Sequence, residues 1–271
     1  MRVFRILSTA PNIAKVLQKE FLARGISYVR PVYLVNEYPK SGGTWLKYML
    51  ADALELQTWT KETPTMGSCV MQAHWMRQRG NCRPIVQFRD GRDVMVSYYY
   101  HSFFRNEFKN ASYVKFMRDT FEFADYDDVR ANLLPFMKRM LNDPISPSFS
   151  WVDFVRVWAG KPGTIASSYE ALRRDPAGEL SRIVSELQGI DFPMARAQEV
   201  ADAHTMERMR ARKAKDAAPS QDAEVSFIRK GSIGGWTEYF TDDALDWFSD
   251  RAGTELTQLG YDLGRPSGTN G

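Results

Sequence analysis

Apolar positions in this chain fall into two rhythms. Short apolar runs recur at Val32-Tyr33-Leu34-Val35, Ile85-Val86-Gln87-Phe88 and Thr164-Ile165-Ala166-Ser167-Ser168, and each gives way to a polar turn. Runs of this length without strict alternation predict strands buried on both faces. A helical period follows each turn. After the first, Leu46, Met49, Leu50, Ala53 and Leu54 return at i, i+3, i+4 spacing. After the second, Asp90 stands as an N-cap and Asp93 lies in the first helical turn, where negative charge suits the helix dipole. After the third, Asp175-Pro176 is a helix start signal. Trp151, Phe154, Val155 and Trp158 form an aromatic stripe between the second and third units, expected in a core. Repeated strand–helix units predict an α/β fold, a single domain over residues 1–271 with a central parallel β-sheet flanked by helices. Ligands of such sheets bind at the carboxyl ends of the strands, so the loops after the strands are where chemistry is expected.

The remaining segments add detail. Residues 1–30, with Arg2, Arg5, Lys15 and Lys19, read as an amphipathic N-terminal helix rather than a targeting segment. Residues 208–235, where Arg208, Arg210, Arg212, Lys213 and Lys215 crowd together before a polar stretch, read as a mobile lid. The tail 264–271 reads as disordered. Net charge is only +3, too mild to require nucleic acid as a partner. No apolar run is long enough to span a membrane. Cys69 and Cys82 lack a matching ligand set for zinc and read as reduced thiols of a cytoplasmic protein. The three histidines are scattered, so no metal site is expected.

The first loop, Tyr38-Pro39-Lys40-Ser41-Gly42-Gly43-Thr44-Trp45, carries the strongest chemistry. Its glycine pair lets the backbone approach an anion, and the following helix N-terminus points N–H groups at it. Lys40 adds charge, and Ser41 and Thr44 add hydroxyls. The result is a P-loop-like phosphate-binding loop. It is not a Walker A loop, because Lys40 precedes the glycines. Glu37, before the anchor, is expected to point elsewhere. In the second loop Arg89 offers a bidentate fork for phosphate, and Ser97 follows on the next helix.

These segments resemble the PAPS-dependent sulfotransferases, of the soluble cytosolic and bacterial type, which use 3′-phosphoadenosine-5′-phosphosulfate. YPKSGGTW looks like their 5′-phosphosulfate loop and QFRDGRDVMVSYYY like their 3′-phosphate segment. SYEALRRDP resembles their third strand–turn, and FIRKGSIGGW their C-terminal Arg-Lys-Gly loop. The resemblance implies that Lys40, Ser41, Gly42, Gly43, Thr44 and Trp45 bind the phosphosulfate end and flank the adenine. It implies that Arg89, Ser97, Arg229, Lys230 and Gly231 bind the 3′-phosphate, and that Tyr169 contacts the adenine. The segment from His204 to Met206 is a loose match for the one that covers the adenine's other face. The implied catalytic set is His74 as general base, Lys40 and Ser97, with PAP as product and no metal.

Five departures from the family pattern stand out. Gly43 replaces a frequent Thr, Gly235 a usual Asp, Gln72 a lysine two residues before the base, and Met76 a proline two residues after it. The dimerisation stretch is not recognisable in 237–245, which leaves the oligomeric state open. The acceptor is expected to be a small molecule or glycan with a hydroxyl or amine, and Trp75, Tyr98, Tyr99, Tyr100, Phe103 and Phe104 hint at an aromatic pocket or simply core. Two rival readings are a P-loop-type small-molecule kinase and a non-catalytic nucleotide- or RNA-binding protein using the basic stretch.

Overall fold

The computed structural model describes residues 10–60, 64–106, 110–216 and 231–264. In chain order they form α1 (Ala10–Arg24), β1 (Val32–Glu37), α2 (Gly43–Ala53), β2 (Gln57–Thr58), β3 (Cys69–Ala73), β4 (Pro84–Phe88), α3 (Gly91–Phe103), α4 (Ala111–Phe121) and α5 (Val129–Asn142). They continue with α6 (Trp151–Trp158), β5 (Ile165–Ser168), α7 (Tyr169–Arg174), α8 (Pro176–Gln188), α9 (Met194–Ala203), α10 (Met206–Asp216) and α11 (Asp242–Gln258). Arg229 and Lys230 lie outside the described residues, as do most of the proposed lid and tail.

The strands form one five-stranded sheet in the order β2-β3-β1-β4-β5, and every pairing is parallel. The α/β expectation holds, and all three predicted strands are present as β1, β4 and β5. The edge strand β2 and the inner strand β3 are additional. From β1 the chain runs outward to β2 and β3 on one side, then crosses to β4 and β5 on the other. The carboxyl end of β1 is therefore the topological switch point of the sheet, the place where ligands of such folds bind.

The described residues cluster into two compact units. The first, Met1–Phe88 with Gly160–His204, holds the whole sheet. On one sheet face Val32, Leu34, Cys69, Met71 and Ala73 join Leu22 and Ala23 of α1, with Trp59 and Cys82, in an apolar core. The two cysteines are free and buried there, and burial pushes both thiols up to about 11. The other face carries Val35, Glu37, Gln72, Ile85, Gln87, Ile165 and Ser167, since register pairs share a face. The predicted start of α8 is correct: Asp175 accepts from the Gly178 N–H, with Pro176 next in line. The turn expected before it is instead the short helix α7, capped by Ser168.

The second unit, Arg89–Ala159 with Thr205–Gly271, is helical. Asp90 caps α3 as predicted, accepting from the Arg92 N–H at 2.9 Å. The aromatic stripe forms α6, started by a reciprocal capping box between Ser150 and Asp153. Tyr99 and Phe103 are fully buried and pack with Phe121, Phe123 and Phe136. These two therefore belong to the core of this unit rather than to an acceptor pocket. The basic run expected to be mobile begins as a helix, α10. No described helix is long and apolar enough to cross a membrane.

Candidate active site

The first loop leaves the carboxyl end of β1 and enters α2. Lys40 and Gly42 both adopt left-handed backbone, at φ 75° and 92°. That conformation is routine for glycine and uncommon for lysine. Residues of this kind in a tight turn bring successive N–H groups inward, the usual frame of an anion nest. Gly42 is required for a second reason: a Cβ there would lie 2.5 Å from the Tyr169 ring. Ser41 is 1% exposed, and its Oγ has no hydrogen-bond partner among the described residues. A buried hydroxyl without a partner is costly, so this one fits a polar ligand absent from the structure.

Glu37, the last residue of β1, overturns its expected orientation. One carboxylate oxygen accepts from the Gly43 N–H at 2.6 Å, and the other accepts from the Gln72 side-chain amide. The Thr44 hydroxyl donates in turn to the Gln72 carbonyl at 3.2 Å. Burial pushes the Glu37 carboxyl up to about 7, against the lowering effects of the Gly43 and Gln72 hydrogen bonds and of Lys40 and Lys47. The same approach explains Gly43: a Cβ at that position would sit 2.6 Å from the Glu37 carboxyl carbon. Two family departures, Gly43 and Gln72, are thus the two residues that hold one buried carboxyl group. Nothing in the sequence pattern signals this. Register places Gln87 beside Glu37 and Ser167 beside Gln87, and both are buried with side-chain polar atoms that lack partners among the described residues.

His74 directly follows β3, and so stands at the carboxyl end of a strand that the apolar pattern does not reveal. Its Nδ1 lies 2.8 Å from the Glu37 backbone carbonyl. A carbonyl only accepts, so Nδ1 carries the proton and Nε2 keeps the lone pair. Desolvation of the ring lowers the imidazole pKa, the Glu37 carbonyl raises it in part, and Lys19 lowers it. The direction is downward, and the residue's exposure to water limits the drop. A neutral imidazole with a free Nε2 is the form a general base needs.

Trp45 and Tyr169 meet edge-on, with centroids 6.3 Å apart, and both are buried. The Trp45 indole N–H donates to the His204 carbonyl at 2.7 Å. His204 is buried, and its Nε2 lies 2.9 Å from the Asp52 carboxylate. It tethers α2 and the Trp45 ring.

In the second unit, Arg89 donates to the Ser232 carbonyl at 3.2 Å and lies 3.8 Å from Asp93. Asp93 also accepts from the Gly234 and Trp236 N–H groups, each at 2.9 Å. One buried carboxylate therefore organises Arg89 and the loop that follows Gly231. Burial raises the Asp93 pKa to about 6, with the Arg89 charge and the two backbone bonds opposing. Arg92 is consumed structurally, paired with Asp90 and stacked on Trp236 at 4.2 Å. Ser97 is half-buried on α3, and His101 stacks on Tyr98, a packing role. Among the described residues no group of His, Cys, Asp or Glu is placed to hold a metal ion.

A parallel sheet with a glycine turn at its switch point fits several nucleotide-binding families, and family comparison decides between them. The sulfotransferase domain model matches residues 70–260. The chain belongs to the sulfotransferase family. The matched span includes His74, Arg89, Ser97 and Tyr169 and begins after the first loop. Solved structures share the fold over 87–89% of this chain. A retinol dehydratase in complex with androsterone and PAP has a TM-score of 0.60 at 16% identity, covering 89% of this chain and 84% of that one. A mouse sulfotransferase complexed with PAP has a TM-score of 0.59 at 18% identity, covering 87% and 86%. A retinol dehydratase complex with retinol and PAP has a TM-score of 0.60 at 16% identity, covering 88% and 84%. A search of curated protein sequences gave no match. Within this family the kinase and RNA-binding readings are not favoured.

Proposed function

We propose that this sulfotransferase takes its sulfuryl group from PAPS and passes it to a hydroxyl or amine of a small molecule or glycan. The observation that carries the reading is a single hydrogen bond. His74 Nδ1–H donates to the carbonyl of Glu37, the residue at which β1 gives way to the phosphate loop. His74, at the carboxyl end of β3, is thus tied to the end of β1 from which the phosphate loop leaves.

In this reading Lys40, Ser41, Gly42, Gly43, Thr44 and Trp45 hold the 5′-phosphosulfate end. The orphaned Ser41 Oγ gains its missing partner from an oxygen of the donor. Arg89 and Ser97, with Arg229, Lys230 and Gly231, hold the 3′-phosphate, and Tyr169 with Trp45 flanks the adenine. The acceptor oxygen or nitrogen attacks sulfur in line. Its proton passes to His74 Nε2 as the new bond forms, and the bond from sulfur to the bridging oxygen breaks. Lys40 neutralises the charge left on the 5′-phosphate of PAP. This scheme uses no metal. Two buried thiols suit a reducing, cytoplasmic setting.

Calorimetric comparison of nucleotides tests the donor assignment. A charge-assisted hydrogen bond to the 3′-phosphate is worth about 1.5–3 kcal/mol, so PAP is expected to bind at least about tenfold tighter than AMP, which lacks that group. Equal binding of PAP and AMP, or tightest binding of ATP with magnesium, would remove the assignment.

A further inference from the structure

Glu37 places a buried carboxyl group on the donor that an anionic ligand needs. Its oxygen receives the Gly43 N–H, the first N–H of α2, at 2.6 Å. That N–H belongs to the helix N-terminus where anions are favoured, and a carboxylate there is an anion already in place. Lys40 in the loop and Lys47 on α2 favour its ionised form. From β3 comes Gln72, uncharged, and beyond it His74, whose Nδ1 donates to the Glu37 backbone carbonyl. Gln87 of β4 stands beside it in register and is also uncharged. Ser41, in the same loop, keeps a buried hydroxyl without a partner among the described residues, which suits a polar ligand at this turn. Two anions at one helix N-terminus repel, and desolvation by a bound ligand sharpens the repulsion.

We propose that Glu37 is a proton-linked gate on the first loop: ionised, it occupies the α2 N-terminus against an anionic ligand, and nucleotide binding puts a proton on it. The proposal rests on the assignment of the donor to this loop. It gives a role to Gly43 and Gln72 together, because one makes room for the carboxyl group and the other holds its second oxygen. With the proton bound, Glu37 is neutral and no longer repels an anion at the α2 N-terminus. Glu37 titrates near neutrality already, so uptake falls within the physiological range.

The test is PAP binding by calorimetry to the full chain, in buffers of different ionisation enthalpy, between pH 7 and 8.5. The last phosphate protons of PAP leave near pH 6, below this window. The expected result is uptake that rises from about half a proton per PAP at pH 7 toward one at pH 8.5, with affinity falling by up to about tenfold per pH unit at the upper end. Glu37→Gln is expected to bind PAP without proton uptake and with affinity flat over the same range. If that variant does not fold, infrared spectra of the native chain labelled with ¹³C-glutamate replace it, and a protonated carboxyl band is expected to grow on PAP addition. PAP binding with no proton uptake overturns the gate and leaves the donor assignment standing. Uptake of the same size in Glu37→Gln overturns it by placing the proton elsewhere. Absence of PAP binding at pH 6, where Glu37 is protonated, overturns the donor assignment and the gate with it.

Discussion

Gly43→Ala isolates the close approach on which the first loop is built. The added methyl group would lie 2.6 Å from the Glu37 carboxyl carbon and 2.9 Å from each of its oxygens. Overpacking of this kind costs about 1–3 kcal/mol, and a carboxylate displaced from the Gly43 N–H forfeits a bond worth about 1.5–3 kcal/mol. Gly43 has no left-handed backbone and begins α2, so alanine itself is favourable there by about 0.5–1 kcal/mol. The balance is a destabilisation of about 2–5 kcal/mol at pH 8. The assay is urea unfolding in a double-mutant cycle with Glu37→Ala. In that background the obstacle is gone, and Gly43→Ala is expected to be neutral or stabilising by up to about 1 kcal/mol. The coupling between the two positions is then at least about 2 kcal/mol. Equal destabilisation by Gly43→Ala in both backgrounds would refute the idea that Glu37 dictates the glycine.

Three more outcomes follow from the same geometry. The folded Glu37 carboxyl titrates near 7 against an ordinary 4.5, so between these values the folded chain holds a proton that the unfolded chain has released. Stability therefore falls as pH rises through that window, by about 3 kcal/mol from this group, and pH-dependent urea unfolding should show Glu37→Gln free of that part of the slope. Asp93→Ala removes the acceptor for two N–H groups at 2.9 Å and leaves both unsatisfied beside the partly buried Arg89, and is expected to cost about 2–4 kcal/mol and to weaken PAP binding; unchanged unfolding and PAP affinity would count against its organising role. His74→Ala is expected to cut turnover with a weakly acidic alcohol by at least about a hundredfold while PAP affinity stays nearly constant, and near-normal turnover would exclude it as the base.

The legible parts of the fold are those where local chemistry and tertiary context agree. Val32–Val35 and Ile85–Phe88 read as buried strands because β1 and β4 are inner strands of a parallel sheet. Asp90, Asp175 and the glycine turn read correctly because caps and left-handed turns are local devices. The strand β3 escapes the apolar pattern because Cys69–Ala73 is short and broken by a polar Gln72, whose place is set by Glu37 across the sheet. Without that strand, the sequence does not show that His74 stands at a strand's carboxyl end. The orientation of Glu37 is not legible either, because its partners, Gly43 and Gln72, lie six and 35 residues away and meet it only in the fold. The aromatic residues after Arg89 carry no signal separating pocket from core, and Tyr99 and Phe103 prove to be core.

The most direct measurement is transfer of radiolabelled sulfuryl from PAPS to a panel of alcohols, phenols, amines and glycans, with EDTA present. The account predicts labelled acceptor and stoichiometric PAP from the native chain, undiminished by EDTA. Saturating PAPS with no labelled product across the panel, or transfer abolished by EDTA, would contradict it.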